Sequence, residues 1–175
     1  LGKLSRVSWV DVNSTKSPHL IAYYSFDNNF RNQIADKYHG SKFGSTKISS
    51  GIKGNGIYLD GNNDYVSLGK IQELKTPEAF SVSIWFNRAE NLETHTNHNV
   101  HGVLFAHSSD QSNDNLEMGT YWDRVKLYLD TDYHDAYYSY KDDNYPIRIG
   151  EWHHLVITYG YDEDVMVNLV RIYLD

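Results

Sequence analysis

Residues 56–69, "GIYLDGNNDYVSLG", decide between two folds. Asp60, Asn62 and Asp64 place oxygen-bearing side chains at alternate positions, as the start of an EF-hand loop does. That loop requires Gly at its sixth position, Glu at its twelfth and a helix on either side. Here the corresponding residues are Tyr65 and Ile71. The flanks "GIYL" and "YVSL" are short runs rich in aromatic and β-branched residues, which is strand composition. Asp-Gly and Asn-Asn between them tolerate left-handed φ, as a hairpin connection demands. The segment therefore predicts a β-hairpin with an acidic tip. Asp60 and Asp64 stand close together there, so their like charges need a cation or hydrogen-bond donors to offset them.

Outward from this segment the same character persists. "FSVSIWFNR" (80–88) alternates, with Phe80, Val82, Ile84 and Phe86 on one face and Ser81, Ser83, Trp85 and Asn87 on the other. Strands are also predicted at "LIAYYSF" (20–26), "SKFGSTKIS" (41–49), "GVLFAHS" (102–108), "NLEMGTYW" (115–122) and "RVKLYLD" (124–130). "AYYSYK" (136–141), "HHLVITYG" (153–160) and "NLVRIYLD" (168–175) complete the set. Residues 1–18, ending at Pro18, read as a lead-in; 27–40 is polar and turn-rich, and "GIKGNG" (51–56) is a glycine-punctuated loop feeding the hairpin. No segment has a helical period. Many short strands separated by turn signals specify an all-β sandwich or barrel.

At 175 residues the chain is sized for one domain with a full core. Its formal charge of −7 excludes the basic face that nucleic acid calls for, and suits divalent cations or neutral ligands. The absence of cysteine excludes a disulfide scaffold and thiolate metal sites. No apolar run is long enough to cross a membrane as a helix. The chain opens at Leu1 with no signal-peptide pattern, and further sequence is expected upstream. Fifteen tyrosines suit half-buried strands with one end wet, and equally suit stacking on sugar rings.

Several segments, in order, resemble laminin-G-like jelly-roll domains. "LIAYYSFDNN" followed by "ADKYHGSKFG" resembles their opening strand and a turn ending in His/Asn-Gly. "GIKGNGIYLDGNNDYVSLG", "FSVSIWFNR", "EWHHLVITYG" and "VRIYLD" resemble later segments of the same domains. The wider group is the concanavalin A-like lectins and glucanases, pentraxins included. The resemblance implies a two-sheet antiparallel jelly roll over 19–175. It also implies that further strands follow Asp175, so the chain is expected to lack the last strands of its domain, with more of the same polypeptide supplying them.

Relatives of this kind hold calcium at a sandwich rim, through oxygens converging from separate loops. The acidic tip (Asp60, Asn62, Asp64) offers one ligand group, and Asp27 with Asn28 another. "VLFAHSSDQSNDNLEM" resembles a pentraxin segment and places Asp114 and Asn115 on a pentraxin calcium pair. His95, His98 and His101 are spaced for a helical zinc face, but Asn97, Asn99 and Gly102 make the segment a loop. His153 and His154 match a structural pair of the family. The Glu-x-Asp-x-x-Glu strand of laminarinase-like relatives, which aims carboxylates into a cleft, has no counterpart here. Glu117 and Asp123 are six apart, and Glu163 and Asp164 are adjacent in a predicted turn. In "DYHDAYYSYKDDNY" (132–145), Tyr138 and Tyr140 share a strand face and Tyr137 takes the other; one set is core and the other presents rings. Trp122, Tyr138, Tyr140 and Tyr145 are the candidates for sugar stacking. The sequence thus leads to a non-catalytic extracellular module that binds a glycan or an extracellular protein, associated with calcium. The alternative is a structural or adhesive module with no small ligand, and a glycoside hydrolase lacks its carboxylates.

Overall fold

In the computed structural model, which describes residues 2–11, 19–74, 79–89, 102–108, 115–121, 124–130, 135–141 and 146–175, the alternation of 80–88 becomes a buried stripe. Phe80, Val82, Ile84 and Phe86 are at most 4% exposed, and the intervening residues are half-buried. The described residues form thirteen strands. These are β1 (Gly2–Asp11), β2 (His19–Tyr24), β3 (Ser41–Phe43), β4 (Lys47–Ser50), β5 (Asn55–Leu59), β6 (Tyr65–Ser67), β7 (Phe80–Arg88), β8 (Gly102–Ser108), β9 (Asn115–Tyr121), β10 (Arg124–Asp130), β11 (Asp135–Tyr140), β12 (Trp152–Asp162) and β13 (Val167–Leu174). Among these residues the one helical piece is a 3-10 turn at Gln72–Leu74. The all-β class read from the sequence is the class of the structure.

The chain divides into two compact units. One comprises residues 2–87 and 152–175. Its main sheet runs β13-β12-β7-β1-β5-β4, with β2 also on β1, and β3 pairs with β6 in a separate two-stranded sheet. Its core is the β7 stripe with Leu155 and Ile157 of β12, Ile21, Ala22 and Tyr24 of β2, and Ile57 of β5, all buried. The other unit, 88–151, is a meander in the order β11-β10-β9-β8. Leu116, Met118, Thr120, Val125 and Leu127 are buried along one of its faces. Pairings whose register is described are antiparallel.

Two expectations are corrected. Residues 1–18, expected as a lead-in, supply β1, whose residues 2–4 pair with β5 and 7–11 with β2. Its sequence "GKLSRVSWVD" hides the strand: polar residues interrupt the apolar ones, and the register shifts between Trp9 and Val10. Second, "LDGNNDYV" is not a hairpin tip. Both edges of β5 are taken, by β1 and by β4, so β6 cannot pair with it and pairs with β3 instead. The true tip is 51–54, where the Gly51 N–H donates to the Gly54 carbonyl at 3.0 Å. From there one long hairpin runs Ser50↔Asn55 to Lys47↔Tyr58, bends, and resumes Phe43↔Tyr65 to Ser41↔Ser67. At the bend one arm uses residues 44–46 and the other 59–64, so the acidic residues form the excess of the outer arm.

Candidate functional site

The bend shows what the acidic cluster does. One Asp64 carboxylate oxygen accepts the Ser45 N–H across the bend, and the other accepts the Asp60 N–H at 2.8 Å. Asp60 in turn accepts the Asn62 N–H at 2.8 Å. The Asp60 N–H hydrogen bond holds the Asp64 carboxyl below the ordinary carboxylate range, helped by the Ser45 N–H and by the charge of Lys47. The expected closeness of Asp60 and Asp64 is therefore offset by backbone donors. On the inner side, Thr46, 1% exposed, donates its hydroxyl to the Phe43 carbonyl at 2.6 Å. Phe43 and Tyr65 stack across the two-stranded sheet, ring centroids 4.5 Å apart.

Asp27 lies elsewhere, joined to the hairpin tip: its Oδ1 accepts the Asn55 N–H at 2.9 Å and its carbonyl the Asn55 side-chain amide at 2.7 Å. It opens the loop 27–40, which is built around Asn32. Asn32 Oδ1 accepts the N–H groups of Tyr23 and Ile34 at 3.1 and 3.0 Å, and its amide donates to the carbonyls of Ile21 and Lys37. The Asn32 N–H donates to His39 Nδ1 at 3.1 Å, and His39 Nε2 lies 2.9 Å from Asp36 Oδ1. His39 holds the Asp36 carboxyl below its ordinary range, through its hydrogen bond and, once protonated, its charge; Arg31 adds to this. Gly40 follows because there is no room for more. A Cβ there would lie 2.7 Å from Val66 Cγ1 and 2.9 Å from the Phe30 carbonyl oxygen. Nothing in its residue type marks Asn32 as the hub; the legible trace was the "HG" pair at 39–40.

Tyr38 joins this loop to the 3-10 turn. Its hydroxyl donates to Glu73 Oε2 at 2.6 Å, Lys37 Nζ pairs with Glu73 Oε1 at 2.5 Å, and the Tyr38 carbonyl accepts the buried Tyr24 hydroxyl. Burial pushes the Tyr24 phenol well above its ordinary range, and Tyr38 pushes it further. A folded-state value above the unfolded one near 10 gives a stability contribution that is whole below that value. The contribution is lost as pH rises above it. Tyr24→Phe is thus expected to cost about 0.5–1.5 kcal/mol at neutral pH through the lost hydrogen bond, and to fall less steeply than wild type in alkali. Urea unfolding at neutral and alkaline pH checks this; parallel alkaline losses in the two proteins would remove Tyr24 from the account.

In the four-stranded unit, Tyr138 lies opposite Leu127 and Tyr140 opposite Val125, on the side of the buried row. Because β11 is the outer strand, Tyr138 and Tyr140 remain 41% and 39% exposed beside fully buried neighbours. They stand at one end of a core row and remain partly exposed. Asn115 stands in register between Ser108 and Asp130, and Asp130 in turn faces Asp135. Glu117 shares its row with Tyr128. Asp114, Trp122, Asp123, Tyr145, His95, His98 and His101 lie outside the described residues.

His153 and His154 sit in β12. His154 stacks on Trp85 at 4.7 Å and its Nε2 lies 2.8 Å from Ser83 Oγ; His153 packs beside Phe86 and faces Asp175. Glu163 and Asp164 are in the β12–β13 turn, where Asp162 accepts the N–H groups of Asp164 and Val165 and pairs with Arg171. Among the described residues, no three His, Asp or Glu side chains group as a metal set.

No curated protein and no solved structure compared with the chain gave a match. A family model does match, over residues 60–175, which include the acidic bend, β7, the four-stranded unit, β12 and β13. Covering well over half of the chain, this match establishes that the protein belongs to the Laminin_G_3 family of the concanavalin A-like lectin/glucanases superfamily.

Proposed function

We propose that this chain is a non-catalytic extracellular binding module, part of a larger secreted or cell-surface protein, that recognises carbohydrate or a protein surface with calcium bound. Family membership supports a binding module. The observation that carries the reading to a ligand is the pair Tyr138 and Tyr140, in register with a buried row yet about two-fifths exposed at a sheet edge. A tyrosine ring loses little freedom on binding and offers both an apolar face and a hydroxyl, the combination a saccharide needs. Calcium is assigned to the neighbourhood of Asn115, where Asp130 and Asp135 follow in register across the sheet, with Asp114 adjoining in sequence. Hard oxygen donors suit that ion.

A glycan array and melting curves, each in millimolar calcium and in chelator, test the reading. Calcium bound only by the folded form adds about 2.7 kcal/mol at one hundred times its Kd, so the melting point is expected to rise by several degrees. Magnesium should raise it less. Tyr138→Ala with Tyr140→Ala is expected to weaken glycan binding tenfold or more while the calcium shift persists. Reducing-end release from laminarin or xylan is expected to stay at background. A second reading, a structural or adhesive module without small ligand, is favoured by β13, none of whose eight residues is buried and which, among the described residues, ends the order of its sheet. An open edge of that kind can accept a strand from another protein. No glycan hit and no calcium shift would transfer the assignment to it.

A further inference from the structure

We infer that His39 is an acid-responsive latch on loop 27–40. The Asn32 N–H can only donate, and it points at His39 Nδ1 from 3.1 Å, so Nδ1 must present its lone pair. The neutral ring then carries its proton on Nε2, where Asp36 Oδ1 accepts it at 2.9 Å. Arg31 Nη2, 3.1 Å from the same Nε2, cannot bond to an N–H and bonds Asp36 Oδ1 at 3.0 Å instead. Among the described residues, Arg31 and Asp36 are the charged groups facing the ring, and its side chain is 29% exposed, within reach of solvent protons.

Protonation makes both ring nitrogens donors. Asp36 welcomes the added charge and Arg31 opposes it, but neither supplies an acceptor to the Asn32 N–H, which is left facing a second donor. The loop then loses a peg at its hub. What it holds is wide: Asn55 at the hairpin tip through Asp27, and Glu73 at the 3-10 turn through Tyr38 and Lys37. Acid is therefore expected to loosen this loop ahead of the strands.

An asparagine at position 39 provides the control. Its Oδ1 branches from Cγ as Nδ1 does, can accept the same N–H, and takes no proton in this range. Backbone amide exchange is compared between the full 175-residue wild type and His39→Asn at matched pH, across the span where imidazoles titrate, about pH 5 to 8. Equal protection of the Asn32 amide is expected at the neutral end, and about tenfold less in wild type at the acid end, the scale of one lost hydrogen bond. The ring nitrogen shifts of His39 should report the Nε2–H tautomer. Equal protection throughout, or an Nδ1–H tautomer, would overturn the latch. If His39→Asn does not fold, wild type alone decides: Asn32 protection that falls along the His39 titration supports the latch, and protection independent of it refutes it.

Discussion

Leu155→Ala is expected to destabilise the protein by about 2 to 5 kcal/mol, the range for emptying a buried leucine site. Leu155 is fully buried in β12, opposite Ile84 of β7, which is also fully buried. Strands on both sides leave little room for collapse into the space. The two residues are register partners and equally buried, so Ile84→Ala is expected to cost a similar amount. The double variant should depart from additivity by about 0.5 to 3 kcal/mol, as neighbours sharing a cavity do. On the other side of Leu155 lies Leu174 of β13, which is only half-buried. Leu174→Ala removes the same atoms from a wetter place and should cost distinctly less. Denaturant unfolding with an unchanged slope provides the measurement. A Leu155 cost below about 1 kcal/mol, or one no larger than that of Leu174, would mean that the β7–β12 stripe is not the core.

That stripe was legible because its two faces differ: a strand buried on one side writes its orientation into alternate letters. β9 and β10 were legible for the same reason, Leu116, Met118 and Thr120 alternating along one and Val125 and Leu127 along the other. β1 was not, since its polar interruptions and register shift leave no clean period. The bend at 59–64 was misread for a deeper reason. Turn residues say that the chain reverses, but which strand pairs with which depends on who already occupies an edge. For β5 that occupant is β1, far back in the chain. Among candidate sites, the shared face of Tyr138 and Tyr140 followed from alternation, whereas their place on an outer strand follows from sheet order. For Asp64 the sequence displays a side chain only; the Ser45 and Asp60 N–H groups that engage it are main-chain donors and leave no mark in the letters.

Gly44→Ala should lower stability by about 2 to 5 kcal/mol, from two sources of different kind. Gly44 has φ +67°, a left-handed conformation that costs an ordinary L-residue about 1 to 2 kcal/mol. Its added Cβ would also press on Asp64 Oδ1 and lie 2.8 Å from the Asn63 carbonyl oxygen, crowding worth about 1 to 3 kcal/mol. For a chain of this size the melting point is expected to drop by roughly 4 to 20 °C. The two sources separate by background. In Asp64→Ala the nearest obstacle is gone while the backbone conformation and Asn63 remain, so adding Gly44→Ala there should cost measurably less than in wild type. Gly44→Asn, which tolerates left-handed φ, should fall between glycine and alanine if conformation dominates, and match alanine if crowding does. Each outcome reads the geometry of the bend, where the inner arm turns on one glycine and the outer arm wraps its acidic loop around it. If Gly44→Ala costs under about 1 kcal/mol, or costs the same in both backgrounds, Asp64 is not seated against residue 44 and the bent hairpin gives way to the simple acidic turn.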